Sequence, residues 1–400
     1  MSKALDGVVI LDMATGFWAS LGVALLGDFG AQIIKLETLP GDRQDDIISE
    51  APPASWNYRF ELANRNKLGV ALDLGQPSGR EILEKLVSGA DVFVIDRPFP
   101  AIEEGRLDYG TLSALKPDLI YARASGFGPK GPDRDLPALD EMVAARVGMM
   151  PIIPQPGQPP LYGGAGPMYA AALLAFGIAI ALHHRQETGE GQEVDASLFG
   201  GNTYGCRMDL QAYLAIGDER QLQPVSLAQA SNPMGTRYMT KDGRWVALVM
   251  PETDRWWPVI ADMAGLDPHD PRFDSHEKRC EIVENRLELV RILGEMFAQQ
   301  PADYWRALFI ERRLSANVLE DYSFPASDEH ARLNRYILDL EHPSLGTIKM
   351  LGFPVFMSDS PAHLHRMAPC LGQHSAEILR ERLGYSEDQI NELKAAGVII

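Results

Sequence analysis

The sequence predicts an α/β protein whose larger part is a mostly parallel, doubly wound sheet, accompanied by a smaller α+β domain. Over the first 200 residues, short apolar runs of strand length alternate with stretches that have helical patterning. After about residue 225, a hairpin signal precedes two long helical stretches, and the end of the chain returns to helix. Alternating strands and helices form a parallel sheet with helices on both faces, whereas strands followed by helices are typical of an α+β unit.

The first elements form a strand–helix–strand unit. Apolar runs at 8–11 and 32–36 are predicted strands, and the stretch 18–29 between them is a predicted helix that ends at Gly30. A helix of this length between two strands is the βαβ pattern of parallel sheets.

The alternation continues through the next part of the chain. Strands are predicted at 70–72, 92–95 and 119–122, and a helix is predicted at 78–89. This helix is expected to begin with a capping box, in which the Ser78 and Glu81 side chains satisfy backbone N–H groups reciprocally.

The smaller domain is predicted at about 225–325. The segment Lys241-Asp242-Gly243-Arg244 lies between two apolar runs, which is typical of a hairpin. After residue 200, strands are predicted at 237–240 and 245–249. Helices are predicted at 253–264, 276–299, 375–382 and 386–396. The last of these helices is expected to start at Ser386.

The uncharged stretch 151–182 is a candidate membrane span. Pro and Gly interrupt its first half, so only about 167–182 can be helical. A helix of that length, rising ~1.5 Å per residue, reaches about 24 Å, which is less than a bilayer core of ~30 Å. Its many alanines suit close packing, so we predict a buried core helix.

The acidic composition excludes two classes of partner. There are 37 Lys and Arg residues against 55 Asp and Glu, which gives a net charge of −18. Proteins that bind nucleic acid or anionic membranes normally carry a basic face, so we expect neither partner. The three widely spaced cysteines form no CxxC pair and are typical of a reducing, cytoplasmic compartment. The first residues do not have the pattern of a signal peptide.

Motifs that would identify a catalytic site alone do not occur in the sequence. There is no P-loop and no GxSxG, and the first predicted strand–helix turn, Ala14-Thr15-Gly16-Phe17-Trp18, lacks a GxGxxG fingerprint. His276-Glu277 is not completed to HExxH, and the adjacent His183 and His184 point in different directions on a helix. We therefore expect no metal and no covalently bound cofactor.

An ordered set of segments does identify a family. The segments are Leu5-Asp6-Gly7, Leu26-Gly27-Asp28-Phe29-Gly30, Ile34-Lys35-Leu36-Glu37, Gly41-Asp42-Arg43, Asn64-Arg65-Asn66-Lys67, Gly89-Ala90-Asp91-Val92, Lys116-Pro117-Asp118, Ser125-Gly126-Phe127-Gly128, Thr188-Gly189-Glu190-Gly191-Gln192 and Leu371-Gly372-Gln373-His374. Together they cover nearly the whole chain, with the weakest match at 225–350. The chain resembles the class III CoA-transferase family, which includes formyl-CoA, carnitine-CoA and benzylsuccinate-CoA transferases and the α-methylacyl-CoA racemases.

The resemblance implies a particular organisation. A large Rossmann-like CoA-binding domain is expected from residues 1–200 and 345–400, with the small domain at 225–325 between linkers at 200–225 and 325–345. The ring-shaped chain is expected to interlock with a second chain. The active site then lies between the large domain of one chain and the small domain of the other, and its substrate is a coenzyme A thioester.

The family's nucleophile is an Asp at the N-terminus of the apolar helix, where the helix dipole keeps it ionised. Counting back from Thr188 and Gly189, that position is Pro167. No Asp or Glu occurs between Glu141 and Glu187, so no shift of the alignment supplies one. Because proline is favoured at the first helical position, Pro167 fits both a helix start and a lost nucleophile.

Asp140 is the nearest remaining carboxylate. It is a candidate either for the nucleophile or for a polar residue that supports the site or starts a helix. Racemases of this family have a His directly before this acid and an Asp at the position of Pro167. Here Leu139 and Pro167 stand there, which disfavours racemase chemistry.

The resemblance also implies residues near CoA. They are Asn64, Lys67, Arg43, Arg97 and Arg106, of which Lys67 is the best candidate for pairing with a phosphate. Each basic residue alone is more often a solvated surface charge. Two departures concern this region: Asp96 stands where the family usually has Asn, and only Gly235 remains of the glycine run found in formyl-CoA transferases.

These departures predict a CoA-transferase subunit that lacks its own catalytic Asp and pairs with a paralogue that keeps one. Such unequal pairing resembles the succinyl-CoA:benzylsuccinate CoA-transferases of anaerobic aromatic degradation, with succinyl-CoA as donor and benzylsuccinate as acceptor. Phe17 and Trp18 are candidates for an aryl pocket or for core packing. The alternative is a homodimeric CoA-thioester lyase or isomerase, or a non-catalytic acyl-CoA-binding protein, that uses Asp140 or no nucleophile.

Overall fold

The chain forms two compact units. The computed structural model describes residues 3–39, 57–218, 222–224 and 226–400. The first unit comprises Met1–Met149, Tyr162–Leu214 and Glu329–Ile400, and the second comprises Met150–Leu161 and Ala215–Asp328. The second unit contains the predicted small domain together with residues 150–161, a Pro-rich segment whose sequence has no pattern that assigns it there.

A six-stranded parallel sheet organises the first unit. Its strands are β1 (Val9–Asp12), β2 (Gln32–Thr38), β3 (Lys67–Leu72), β4 (Val92–Ile95), β5 (Ile120–Ser125) and β6 (Gln192–Ser197). They lie in the order β3-β2-β1-β4-β5-β6, and every neighbouring pair is parallel. The order reverses between β1 and β4, which creates a crevice at the carboxyl ends of these strands. The predicted fold class is confirmed.

Helices cover both faces of this sheet. The helices of the described residues are α1 (Phe17–Asp28), α2 (Tyr58–Asn64), α3 (Pro77–Ser88), α4 (Phe99–Glu104), α5 (Tyr109–Leu115), α6 (Asp140–Ala144), α7 (Gly166–Thr188), α8 (Leu198–Gly205), α9 (Arg207–Ile216), α10 (Thr253–Ala264), α11 (His276–Cys280), α12 (Val283–Phe297), α13 (Ala302–Glu311), α14 (Ser323–Ser327), α15 (Glu329–Leu333), α16 (Ser375–Leu383) and α17 (Glu387–Ala395). Successive strand residues point to opposite faces. Ile10 and Ile33 therefore pack with α1 and α7, whereas Leu11 and Ile34 pack with α3 and α16.

Helix α7 is longer than predicted, at 23 residues. The additional turn, 183–188, is polar, and Arg185 in it forms an ion pair with Asp91 at 2.8 Å. The inner face of α7 belongs to the sheet core, while Phe176 on the outer face is 62% exposed. Among the described residues, α7 is the one helix long and apolar enough to cross a membrane, a test that core helices of soluble proteins also pass.

Two further predicted helices differ from the structure. Helix α3 begins at Pro77 and has no side-chain cap, so the expected Ser78–Glu81 capping box is wrong. Proline is well suited to the first helical position, and this places Ser78 inside the first turn. The predicted helix 276–299 is divided into α11 and α12. Ser386, in contrast, does start α17, in a capping box with Gln389.

The second unit contains a three-stranded antiparallel sheet. Its strands are β7 (Arg237–Met239), β8 (Trp245–Leu248) and β9 (Ala316–Val318). The hairpin predicted around Gly243 joins β7 to β8, and Gly243 has a φ of +79°, which glycine adopts without strain. A further hairpin, β10 (Ile337–His342) and β11 (Gly346–Leu351), belongs to the first unit and was not predicted.

Candidate functional site

The turn between β1 and α1 folds around Asp96, which directly follows β4. The Thr15 N–H donates to both carboxylate oxygens of Asp96 at 2.9 Å, and the Gly16 N–H donates to Oδ2 at 2.5 Å. Burial raises the pKa of Asp96, and the two N–H groups oppose this rise because they stabilise the charged form. A side chain from the neighbouring strand thus satisfies the N–H groups at the start of α1.

A buried charge cluster lies behind this turn. Lys67 Nζ donates to Asp12 Oδ2 at 2.7 Å, to Asn64 Oδ1 at 3.0 Å and to a carbonyl of α1 at 2.8 Å. Asp12 Oδ1 accepts the Ala14 N–H at 3.0 Å, and Lys35 donates to the Ala14 carbonyl. The cluster therefore ties β1, β2 and β3 to the turn that holds Asp96.

The charges in this cluster bear on the expected pairing of Lys67 with a CoA phosphate. Burial lowers the pKa of Lys67 to about 7, although Asp12 favours its charged form. Burial alone would raise the pKa of Asp12, but Lys35 and Lys67 outweigh it and hold that pKa below its usual value. Lys67 is fully buried and all three of its acceptors are internal. The expected pairing of Lys67 with a CoA phosphate does not fit this position, in which Lys67 supports the turn from inside.

A cavity of about 520 Å³ lies at the carboxyl ends of β1, β4 and β5. We call it the Asp140 cavity. The residues that line it include Phe17, Trp18, Arg59, Asp96, Arg97, Phe99, Arg134, Asp135, Leu139, Asp140, Pro167 and Leu198. The cavity thus brings together carboxylates, guanidinium groups and apolar walls at the place where the strand order reverses.

Two side chains fix the orientation of Asp140, the first residue of α6. Asn202 Nδ2 donates to Asp140 Oδ1 at 2.8 Å, and the Tyr162 hydroxyl donates to Oδ2. The Asn202 side chain fills the space beside Gly166, where a Cβ atom would lie 2.2 Å from Asn202 Nδ2. Burial, and then the bond to Asp140, raise the pKa of Tyr162. Asp140 is therefore held close to the first residues of α7.

The structure brings only some of the predicted site residues together. Asp140, Pro167 and Arg97 line one cavity. Asn64 is buried beside Lys67, where its Nδ2 donates to the Phe60 carbonyl at 3.1 Å. Arg106 lies on an exposed turn after α4, with a φ of +50°, and does not line the cavity. Arg43 lies outside the described residues.

Sequence reasoning missed four residues of this site. Arg59 and Arg134 line the cavity, while Tyr162 and Asn202 bind Asp140. Arg134 and Tyr162 lie in Pro- and Gly-rich segments without periodic pattern, so no local signal identifies them. Asn202 lies in a helix, and the close approach of Gly166 that accommodates it becomes visible only in three dimensions.

The two aromatic residues after the first strand lie between the cavity and the core. Phe17 and Trp18 line the cavity, and they also pack against the buried Leu21 and Ala63. The Arg59 guanidinium lies 4.9 Å from the centre of the Phe17 ring. Apolar walls with a few guanidinium groups suit a small organic acid. No three His, Cys, Asp or Glu side chains of the described ranges form a metal-binding group.

Comparison with known proteins extends these observations. The sequence pattern of CoA-transferase family III matches residues 5–375. The chain is 31% identical over 403 residues to the (R)-2-hydroxy-4-methylpentanoate CoA-transferase of Clostridioides difficile, covering 99% of both chains. It is 29% identical over 408 residues to the succinyl-CoA–L-malate CoA-transferase beta subunit of Chloroflexus aurantiacus, covering 99% of this chain and 98% of the relative.

A solved structure shares the fold. The crystal structure of a CAIB/BAIF family protein from Brucella suis matches with a TM-score of 0.80 and 25% identity, covering 96% of this chain and 100% of that chain. The family match over nearly the whole chain confirms the resemblance inferred from the sequence segments, and CoA thioesters are the substrate class that goes with it. The chain therefore belongs to CoA-transferase family III.

Proposed function

We propose that this chain is a CoA-transferase subunit without a catalytic carboxylate of its own, working with a paralogue that supplies the Asp. The observation that carries the proposal is Pro167 in the first turn of α7, where the family's nucleophile is expected. The sequence offers no Asp or Glu between Glu141 and Glu187 to replace it. A proline side chain has no atom that attacks a thioester.

The proposed reaction begins on the partner's Asp. Its carboxylate attacks the donor thioester, which gives a mixed anhydride and free CoA thiolate. The thiolate attacks the Asp carbonyl of the anhydride, releasing the donor acid and leaving CoA as a thioester on Asp. The acceptor carboxylate attacks this thioester, and the thiolate released then attacks the acceptor carbonyl of the new anhydride. Acceptor-CoA leaves and the Asp carboxylate is regenerated, with no net oxidation and no water consumed.

An apolar groove on the first unit supports the presence of a second chain. It encloses about 740 Å³ between the outer face of α7 and the segment that contains Phe353, Val355 and Met357. Phe176 and Val355 are more than half exposed, and contiguous exposed apolar surface marks interaction sites. We propose an interlocked heterodimer or heterotetramer in the cytoplasm. The beta-subunit name of the Chloroflexus aurantiacus relative is consistent with unequal subunits.

The proposed donor is succinyl-CoA, and the proposed acceptor is an aryl-substituted acid such as benzylsuccinate. Phe17, Trp18 and Phe99 give the Asp140 cavity an aromatic wall that suits an aryl group. The names of several relatives specify succinyl-CoA as donor, which supports the first half of this assignment.

The test for a partner is native mass spectrometry of the chain isolated from its own cells. We expect a complex that contains a second chain of similar length, with Asp at the position equivalent to Pro167. Asp→Asn at that position of the partner should abolish CoA exchange by the complex. A complex that still transfers CoA at its original rate after this change would contradict the division of labour.

Asp140 supports a second candidate function, a homodimer that acts on CoA thioesters as a lyase or isomerase, or that only binds them. The carboxylate lines the same cavity as Pro167 and is oriented by Asn202 and Tyr162. In such a homodimer Asp140 would be the attacking or proton-transferring group.

Asp140→Asn distinguishes the two candidates. If Asp140 acts as a nucleophile, the chain free of any paralogue should turn over CoA thioesters, and Asp140→Asn should reduce the rate by about 1,000-fold or more, because covalent catalysis is lost. Glu141→Gln is the matched control, since it removes one exposed acid from the same turn of α6. No turnover by the chain alone, together with turnover by the complex, supports the first proposal.

A further inference from the structure

A buried aromatic ring forms part of the wall of the Asp140 cavity. Two guanidinium groups contact the Phe99 ring, with Arg123 Cζ at 4.0 Å and Arg134 Cζ at 4.3 Å from its centre. Arg123 is itself fixed by ion pairs with Asp195 at 2.8 Å and Glu193 at 3.2 Å. Phe99 is buried. It therefore gives Arg134 a rigid surface on which the guanidinium is positioned before any ligand arrives.

The ion pairs of Arg134 are weak, so another anion can replace its present partners. Arg134 lies 3.2 Å from Asp135 and 3.6 Å from Glu103, whose side chains are 51% and 69% exposed. Exposed ion pairs of this kind contribute little to stability because water screens them. Since the Arg134 side chain is itself 38% exposed, it can exchange a carboxylate partner for an anionic ligand without uncovering a buried charge.

The remaining charges of the cavity are less suited to capture an anion. The Asp96 side chain occupies the N–H groups of Thr15 and Gly16, so these donors are not available to a ligand. The Asp140 carboxylate repels an anion. Arg59 lies over Phe17 at 4.9 Å, a longer contact than that of Arg134 with Phe99, and the Phe17 ring is only partly buried. Arg97 reaches Thr38 at 3.5 Å. Arg134, in contrast, lies at the other end of the cavity-lining segment 134–140 from Asp140.

We propose that Arg134, positioned on Phe99, binds an anionic oxygen group of the ligand in the Asp140 cavity. A guanidinium offers paired N–H donors that match a carboxylate or a phosphate. The anionic group is therefore either the carboxylate of an organic acid or a phosphate of CoA. The inference deepens the proposed function, on which it rests only in taking this cavity as the ligand site.

The chain provides a matched control residue. Arg146 also lies over aromatic rings, 4.9 Å from Phe127 and 5.5 Å from Phe199, and it also pairs with an aspartate, Asp133 at 2.9 Å. It does not line the Asp140 cavity. Arg134→Gln and Arg146→Gln therefore remove the same charge, the same kind of ring contact and the same kind of ion pair, but only the first changes the cavity.

The test is isothermal titration of the full chain, in the oligomeric form in which it is isolated, with succinate and separately with CoA. We expect Arg134→Gln to weaken the binding of one probe about tenfold or more, as for loss of a charge-assisted hydrogen bond. Arg146→Gln should change neither Kd by more than about twofold. Weaker succinate binding identifies a carboxylate as the bound group, and weaker CoA binding identifies a phosphate. Thermal unfolding of both variants shows that the comparison is made between folded proteins.

Three outcomes would overturn the proposal. They are equal Kd changes in the two variants, unchanged binding of both probes by Arg134→Gln, and binding of neither probe by the unaltered chain. Because the titration requires no CoA exchange, a failure here leaves the subunit assignment standing. Conversely, an Arg134 effect remains interpretable if the chain proves to have no paralogous partner.

Discussion

Lys67 is a fully buried lysine whose acceptors are Asp12, Asn64 and a carbonyl of α1. In the sequence it ends a polar stretch, Asn64-Arg65-Asn66-Lys67, which the family resemblance places near CoA. In the fold it begins β3, and its side chain turns inward to Asp12. Burial of a charged lysine is costly unless it is paired and hydrogen-bonded, and here the pairing also holds the turn after β1.

The buried Lys67 predicts a pH dependence of stability. An unfolded chain gives lysine a pKa near ~10.4, whereas the pKa in the folded protein is about 7. Between these values the unfolded state binds more protons than the folded state, so the free energy of unfolding rises with pH. Lys67→Met should reduce this rise. The measurement is the free energy of unfolding in urea at pH 7 and at pH 9.5, compared between the variant and the unaltered protein.

Lys116→Met is the control for this measurement. Lys116 also pairs with an aspartate, Asp118 at 2.8 Å, but the pair is partly exposed. The control should keep the pH slope of the unaltered protein. Equal slopes for the unaltered protein and Lys67→Met would show that the burial of Lys67 does not set its protonation.

At the residue scale, the sequence predicted candidate site residues at positions where a single residue type carries the signal. Pro167 was recognisable because a helix start and a missing carboxylate coincide there, and Asp140 because it is the nearest remaining acid. Arg134, Tyr162 and Asn202 were not recognisable, since each acts through a partner distant in sequence: Arg134 stacks on Phe99, and the other two bind Asp140. Such contacts leave no local pattern.

At the scale of elements, the degree of burial decided which strands were predictable. The residues of β3, β4 and β5 are buried throughout, and their apolar runs were visible in the sequence. Strand β6 is only partly buried and reads Gln-Glu-Val-Asp-Ala-Ser, which carries no apolar run. The strands of the β10–β11 hairpin are also partly exposed, and the charged residues Asp339, Glu341 and Lys349 interrupt their apolar residues. Pairing with neighbours overrides local composition in these three strands.

Helices α1 and α7 approach each other closely at Gly22. A Cβ atom on Gly22 would lie 2.8 Å from the Ala171 carbonyl oxygen and 3.2 Å from Leu174. The absence of a side chain therefore allows the two helices to cover the same face of the sheet. Their contact also places the starts of both helices beside the Asp140 cavity, where Phe17 and Pro167 lie.

Gly22→Ala should destabilise the protein by about 1–3 kcal/mol. The added methyl group meets a backbone atom that cannot move away, and this overpacking outweighs the helix propensity gained by alanine. Gly294→Ala is the matched control, because a Cβ atom there meets only Tyr238 at 3.9 Å, an ordinary contact. We expect it to stabilise α12 by about 0.5–1 kcal/mol. Urea unfolding measures both, and a stabilising Gly22→Ala would contradict the close packing of α1 and α7.

At the scale of the whole molecule, the outer face of α7 is apolar surface that the described part of the chain leaves exposed. Phe176 protrudes from it, and the groove beside it continues to Phe353 and Met357. Under the proposed assembly, this face is covered by the partner subunit.

Phe176→Glu should prevent that assembly. A carboxylate buried in an apolar interface without a partner is strongly unfavourable, so we expect the affinity between subunits to fall by about 100-fold or more. Size-exclusion chromatography with light scattering measures the change in oligomeric state. Ile310→Glu, at an exposed position outside the groove, should leave it unaltered. An intact oligomer in Phe176→Glu would exclude this face from the interface.

The position of Asp96 has a consequence for how nucleotides meet this fold. In dinucleotide-binding proteins, the amides after the first strand are where a pyrophosphate docks. Here the Asp96 carboxylate already accepts hydrogen bonds from those amides. Because it belongs to the same chain, its effective concentration at the amides is higher than that of a diffusing ligand. An incoming diphosphate therefore does not find the Thr15 and Gly16 N–H groups available, and these groups stabilise the fold instead.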